Sequence, residues 1–317
     1  MSKTILAKTE GMSHEEWLYT RKCGIGGSDA AAACGLSRWK SPLELWMNKT
    51  SNDIEEKSSE AMYWGTVMEP IIRDEFAKRT GLTVQEMPYI FGCKEHPYMI
   101  ADLDGIVREA DGSVSVLEIK TVSSFKEKEW SEDGLPAEYY LQLQHYMTVC
   151  DLKKAYIAYL VGGNDFHYRT VEFDSETSDM LIKLEGAFWK AVQSGVQPVV
   201  TEKDAEALAK LYPKSNSTSV ILPAEADDVI KEYLAVKQLA GHVKEQTALL
   251  ENRLKAMLKE SECGKSPSGF SVSWKSFNSK RFDTTKFRKE HPEQVDEYLI
   301  ESCCRKFSVT EPREIVK

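Results

Sequence analysis

No run of apolar residues in this 317-residue chain is long enough to cross a bilayer, so no helical membrane span is expected. Met1 to Glu10 lacks the apolar stretch of a secretory signal, which points to a cytoplasmic protein with reduced thiols. The seven cysteines, Cys23, Cys34, Cys93, Cys150, Cys263, Cys303 and Cys304, form no C-x-x-C pair. That spacing argues against a zinc or iron–sulfur site, and the adjacent Cys303 and Cys304 are badly placed to bond each other. No G-x-x-x-x-G-K-[ST] run occurs, so there is no P-loop. Internal repeats are missing too. So is an excess of positive charge: 41 Lys and Arg face 50 Asp and Glu, a net −9. That excludes a broadly basic nucleic-acid binder, but not an enzyme that meets DNA on one local surface.

What is present is a globular balance, 42% apolar and 29% charged, in a length that suits one large domain or two smaller ones. Up to about Gln197, helix-like and strand-like segments alternate, the pattern of an α/β layered fold. We expect a core over residues 1–200 and a C-terminal extension over 201–317. The polar stretch Thr50 to Glu60 reads as an exposed loop or frayed helix end. Ala224 to Glu262 reads as one long helix. In it Val229, Tyr233, Val236, Ala240, Val243, Thr247, Leu250, Leu254 and Met257 recur in alternating steps of four and three. Such a seam packs on its own domain, in an antiparallel pair, or between chains. Beyond it we expect a hairpin of Phe270 to Trp274 with Ser279 to Phe282, a helix from Thr284 to Glu301 and a strand from Arg305 to Thr310. Gly264 to Lys317 holds 11 basic and 8 acidic residues, a local +3 that leaves −12 for the rest.

The most informative stretch is Tyr98 to Lys120. Tyr98 to Val107 reads as a strand, Asp111-Gly112 as a turn, and Val114 to Thr121 as the returning strand. Side chains alternate along a strand, so Glu118 and Lys120 share one face and Leu117 and Ile119 the other. On the first strand, Asp104 shares a face with Asp102. A hairpin brings Asp104 toward Glu118 and Lys120. Two carboxylates and an ammonium at a sheet end suit one chemistry: oxygen ligands hold Mg²⁺, and the lysine orients a water or offsets phosphate charge. The same residues also fit an ordinary surface cross-strand pair. Gly65 to Gly81 reads as a helix with Glu69 at its start and Val67, Ile71 and Phe76 near its buried face. Glu69 could join the site or simply answer the helix dipole. On the apolar helix Tyr139 to Val149, Gln142 and Tyr146 lie on one face, serving a site or a satisfied core pair.

In Arg21 to Thr50, three glycines loosen the chain before Ser28, which is placed to N-cap a helix. Ser41, Pro42 and Glu44 make a capping box before a second helix, with Leu43, Trp46 and Met47 as its buried face. Arg21 and Ser28 offer a phosphate seat; a tight glycine packing corner is the alternative.

Taken together, R-x₃-IGGSDAAA, W-x₂-PLELW, G-x₃-EP, DLDG, LEIK and Q-x-QHYM resemble the YqaJ-type phage recombinase nucleases. These are relatives of bacteriophage lambda exonuclease and, more distantly, of RecB-type nuclease domains. The likeness runs from about Arg21 to Tyr146. It implies the P-D-(D/E)-x-K restriction-endonuclease-like core, α/β with a mixed central sheet flanked by helices. It implies Asp104 and Glu118 as metal ligands with the Ile119 carbonyl, Glu69 as the helix carboxylate of the metal site, and Lys120 as the catalytic lysine. Gln142 is implied near the scissile strand and, with Tyr146, fits the Q-x-x-x-Y pattern of RecB-type domains. Arg21 and Ser28 match the positions that seat a terminal 5′-phosphate. Leu103 stands where many relatives have proline, which alters backbone stiffness rather than a ligand.

The implied activity is a Mg²⁺-dependent 5′→3′ exonuclease on double-stranded DNA ends, with Mn²⁺ able to substitute. It leaves 3′ single-stranded tails for a RecT/Bet-like single-strand annealing protein. A homo-oligomer, as a trimeric ring, is implied as well. The alternatives are a RecB-like nuclease on single strands or flaps, and a non-catalytic module that binds DNA ends or an annealing partner.

Overall fold

A computed structural model describes residues 3–52, 59–130, 134–300 and 305–311. Most of the Thr50 to Glu60 stretch, and the pair Cys303 and Cys304, lie outside the described residues. The chain divides into two units, Met1–Lys210 and Leu211–Lys317.

The first unit opens with a strand β1 (Lys3–Lys8) and a helix α1 (His14–Lys22). Ser13 and Glu16 start α1 with a capping box. Helix α2 (Gly27–Ala33) and helix α3 (Pro42–Thr50) follow. The Arg21 to Thr50 stretch thus holds the two expected helices, and Arg21 itself sits on an earlier one. Gly26, not Ser28, is the N-cap of α2, and Ser28 falls in its first turn. The Ser41–Glu44 box with Pro42 starts α3 as expected, but Leu43 and Leu45 are its buried residues.

Helix α4 (Glu60–Thr80) begins at a Ser59 cap and ends at Gly81, whose φ of 70° suits glycine. Glu69 therefore lies mid-helix rather than at its start. Ile72 and Phe76 are buried while Val67 and Ile71 face outward, one step around from the expected face.

Five strands follow: β2 (Thr83–Gln85), β3 (Tyr89–Cys93), β4 (Ile100–Asp102), β5 (Gly105–Arg108) and β6 (Val114–Val122). Helix α5 (Ala137–Cys150), strands β7 (Lys154–Val161) and β8 (Asp165–Glu172), then helices α6 (Ser175–Ser194) and α7 (Ala205–Leu211) complete the series. The central sheet runs β2-β5-β6-β7-β8. Only β6 and β7 pair in parallel, with α5 in the crossover between them, so the sheet is mixed. A second sheet is β1-β3-β4.

The expected continuous strand Tyr98 to Val107 is broken. β4 pairs with β3 in the small sheet and β5 with β6 in the large one, so the chain changes sheets at Leu103 and Asp104. Asp102 and Asp104 thus fall on different segments. Leu103 itself is buried in the core. The Asp111-Gly112 turn stands as expected, with Gly112 at φ 86°.

β6 is buried on both faces. Leu117 and Ile119 pack with Ile72 and Phe76 of α4. Val116 and Val122 pack on the other side with Leu143 and Met147 of α5. This alternation points Glu118 and Lys120 at α5.

The second unit is built on helix α8 (Glu225–Leu258), with a small ladder of β9 (Cys263–Lys265) and β10 (Ser271–Ser273). This replaces the expected hairpin: its turn is Ser266 to Phe270, where Gly269 has φ 90°. Among the described residues, Ser279 to Phe282 forms no strand. The expected Thr284 to Glu301 helix breaks at His291-Pro292 into α9 (Thr284–Glu290) and α10 (Pro292–Val295), since residue 291 precedes a proline and leaves the helical region. Arg305 to Thr310 is not a strand. The α8 seam is present but bare: Val229, Val236, Val243, Leu250 and Met257 are all exposed, and Tyr233 meets Phe307 edge-on. No helix of the described residues is long and apolar enough to cross a membrane.

Candidate active site

The centre of the site is on β6. Glu118 is buried, and its Oε1 accepts a hydrogen bond from Gln142 Nε2 at 2.7 Å. Lys120 pairs with the same carboxylate. Gln142 Nε2 also donates to Tyr146 Oη at 3.1 Å, so the two α5 residues do share one face and one network. Lys120 Nζ lies 5.6 Å from the centre of the Tyr139 ring, within reach of a cation–π attraction.

Asp104, at the sheet change, accepts the Ile119 N–H through Oδ2 at 2.7 Å. That bond ties the chain break to β6 beside Glu118. Glu69 comes from α4 and is held by Arg73 one turn later, which also reaches Glu86 at 3.3 Å.

These carboxylates lie in one another's field. Burial, then Asp104, pushes Glu118 up to about 8 against the pull of Lys120. Burial and Asp104 likewise raise Glu69 to about 7, against Arg73. Burial lifts Asp104 above the ordinary range, with Lys120 and the Ile119 N–H opposing it. Burial works against the charge of Lys120, but Glu118 and Asp104 outweigh it and hold the ammonium above its usual value. Three carboxyls share two cations, Lys120 and Arg73, a set short of positive charge.

One atom makes the shortage concrete. Glu118 Oε2 is buried and has no hydrogen-bond partner. Leaving a buried carboxylate oxygen unmet costs on the order of 1–3 kcal/mol or more. The carboxylates of Asp104, Glu118 and Glu69 are hard oxygen donors of the kind that Mg²⁺ takes. Among the described residues, no three acidic, His or Cys side chains close into a cage by themselves. Asp104 is turned to Ile119, and Glu69 to Arg73. In donor chemistry, together with the orphaned Glu118 oxygen, the set fits a divalent ion.

A second cluster sits beside the first. Arg21 bonds the Ser28 hydroxyl, and its guanidinium lies 4.7 Å from the Trp17 ring centre. Trp17 Nε1 donates to Asp102 Oδ2 at 2.7 Å, and Asp102 lies in the field of Arg21 while its own charge raises Asp104. Gly27 joins the clusters: a Cβ there would stand 2.4 Å from Tyr146 Cε1, so α2 packs backbone to ring against α5. Beneath lies Asp29, buried, 2.8 Å from Lys49 Nζ and 3.6 Å from Lys40 Nζ. Burial opposes its charge, but Lys49, Lys40 and Arg21 overcome that and hold it well below the usual carboxylate range. Lys49 shares this one carboxylate with the other two cations, and burial draws it below its ordinary value. Lys49 also donates to the Arg21 carbonyl at 2.8 Å.

Sequence reasoning misses Trp17, Asp29, Lys49 and Arg73. The i, i+4 spacings Trp17–Arg21 and Glu69–Arg73 are a usable signal. Nothing local pairs Asp29 with Lys49, twenty positions on.

Residues 16–153 match the family model of a YqaJ-like viral recombinase domain. The protein YqaJ of Bacillus subtilis (strain 168) is 36% identical over 314 residues, covering 97% of each chain. The chain belongs to the YqaJ-like viral recombinase family. Every residue of the two clusters that the sequence proposed, from Arg21 to Tyr146, lies inside the YqaJ-like segment. Solved structures with a related outline include the alkaline exonuclease LHK-Exo from Laribacter hongkongensis, at 21% identity and a TM-score of 0.46. That match covers 62% of this chain and all of the other. The complex of LHK-Exo with dAMP aligns with a TM-score of 0.48 at the same identity and coverage. A phage related exonuclease from Haemophilus somnus 129PT, 12% identical, covers 57% of this chain and 98% of its own, with a TM-score of 0.42.

Proposed function

We propose that this YqaJ-like chain is a metal-dependent deoxyribonuclease of the P-D-(D/E)-x-K kind, a 5′→3′ exonuclease that degrades one strand from double-stranded DNA ends. The observation that carries the reading is the orphaned Glu118 oxygen, beside Lys120 and in the field of Asp104 and Glu69. Asp104, Glu118, Glu69 and the Ile119 carbonyl would hold Mg²⁺, or Mn²⁺ in its place. Bound there, the ion supplies a Lewis acid for the phosphoryl oxygen and lowers the pKa of a water.

The chain's own groups do the rest. Lys120, kept charged by Glu118 and Asp104, orients the attacking water and offsets charge on the phosphate. Gln142, fixed by Glu118 and Tyr146, holds the scissile strand with its amide. Tyr146 stays a neutral phenol, since burial, Glu118 and Asp104 all raise it. Arg21 and Ser28 seat a terminal 5′-phosphate, with Trp17 and Asp102 setting the guanidinium plane. The reading carries with it 3′ tails, a RecT/Bet-like annealing partner to coat them, and a homo-oligomer in the form of a trimeric ring.

Digestion of linear and circular duplex with Mg²⁺ tests it. Linear DNA should disappear and circles persist. Equal loss of both would remove the end-dependent claim, and a preference for single strands or flaps would favour a RecB-like activity. A 5′-phosphate end should be consumed faster than a 5′-hydroxyl end. Equal rates would show that Arg21 and Ser28 do not seat the terminal phosphate.

A further inference from the structure

The stretch Phe270 to Lys289 is unlike the rest of this acidic chain. It holds six basic residues, Lys275, Lys280, Arg281, Lys286, Arg288 and Lys289, against the single acid Asp283, a net +5 over twenty residues. The Asp283 carboxylate is spent on the Lys286 N–H at 2.9 Å, where it caps α9. Lys286 lies 3.9 Å from Glu290; the other five cations make no ion pair among the described residues. Interleaved with the charges are five aromatic rings. Four of them are bare: Phe270 is 74% exposed, Trp274 51%, Phe277 85% and Phe282 66%.

The backbone under them is fixed at one end. β10 pairs with β9, and the Trp274 N–H extends the ladder to the Glu262 carbonyl at 2.8 Å. From there to Phe282 the chain leaves regular structure. Rings on such a strap have no core to join, and exposing them in water is unfavourable. Rings alternating with cations along an open strap match one kind of polymer: an anion at every step with a flat face at every step. Unpaired nucleotides offer both. A duplex offers the charge but keeps its base faces stacked within the helix. An acidic peptide offers charge without flat faces.

We propose that Phe270–Lys289 is a binding segment for single-stranded DNA, with Trp274, Phe277 and Phe282 as stacking surfaces and Lys275, Lys280 and Arg281 on the phosphates. The choice of DNA rests on the nuclease reading, in which the enzyme itself generates a single-stranded tail. Such a segment would hold the tail while the opposite strand is consumed. It uses no group of the candidate active site.

The test is fluorescence anisotropy of the full chain in EDTA, where DNA stays intact. The probes are a labelled dT30, a labelled rU30 and a 30-base-pair blunt duplex, and the variants are W274A/F277A and K280E/R281E. The intact protein should prefer dT30. Removing two rings should weaken dT30 binding by at least about fivefold per ring. Reversing two charges should lower the salt slope by about 0.7 for each phosphate no longer neutralised. All four substituted side chains are exposed, and matching circular dichroism spectra would establish that both variants fold. Unchanged dT30 affinity in both variants, no dT30 binding by the intact protein, or tighter binding of the duplex or of rU30 would each overturn the proposal. Digestion of a short duplex with Mg²⁺ is scored separately: a protein that binds dT30 but cuts nothing loses the nuclease reading, and one that cuts but ignores dT30 loses this one.

Discussion

Lys120 is the residue whose replacement is expected to separate chemistry from grip. Its ammonium answers two buried carboxyls at once, so Lys120→Ala should lower cutting by about 10²–10⁴-fold while duplex binding changes little. A filter-binding and digestion pair measures both. Asp29 gives the contrasting case. Asp29→Asn would leave Lys49 buried without its counter-charge, and removing one partner of a buried pair costs about 3–5 kcal/mol. The folded carboxyl is held below its usual value, so its contribution is whole at neutral pH. It fades as pH falls below about 4 toward the lower folded value. The gap in Tm between wild type and Asp29→Asn should therefore be widest near pH 7 and narrow by pH 3. Glu118 and Lys120 are legible in the sequence because strand alternation is a local rule. Asp29 with Lys49 is not, because that pair is made by two helices folding over each other.

Among elements, α2 and α5 show what a pattern cannot carry. Their existence follows from short-range signals, though the cap of α2 falls at Gly26 and not at Ser28, and their packing depends on the absence of a side chain at Gly27. Gly27→Ala should strain Tyr146 out of its bond with Gln142 and cost about 1–3 kcal/mol by overpacking. Calorimetric melting together with a digestion rate would show a decline in both. If only the melting temperature fell, α2 would be packing alone and not part of the working site. The β4–β5 break is hidden for a related reason. Residues 98–107 read as one strand because apolar residues flank the break on both sides, but Asp102, Asp104 and Gly105 are poor strand formers, and the partners, β3 on one side and β6 on the other, divide the strand there. In the same way the bare face of α4 differs from the expected one by a single residue. The helix starts at its Ser59 cap, upstream of Gly65, where the sequence pattern begins.

At the scale of the molecule, the two units are unequally built. The core residues cluster in Met1–Lys210, whereas Leu258 is the one buried apolar side chain among the described residues of Leu211–Lys317. A long helix without a packed face gains little from propensity alone. Limited trypsin digestion of the free protein should therefore cut within 211–317 first and leave a resistant fragment ending near Lys210. Simultaneous loss of both regions would show that α8 is as protected as the sheet. The division of labour is partly visible in the charge count, +3 in Gly264–Lys317 against −12 elsewhere. What the count cannot show is that much of the acidity near the sheet is turned inward, onto Lys120, Arg73 and Lys49.

The meeting of the Gly27 backbone with the Tyr146 ring has a last consequence. It packs the helix of Ser28, which would hold a strand's terminus, directly on the helix of Gln142, which would lie at the cut. Such a pair would act as a calliper. Each cycle would measure off the same span from the end, whatever the bases, so the fragments released should be of one length.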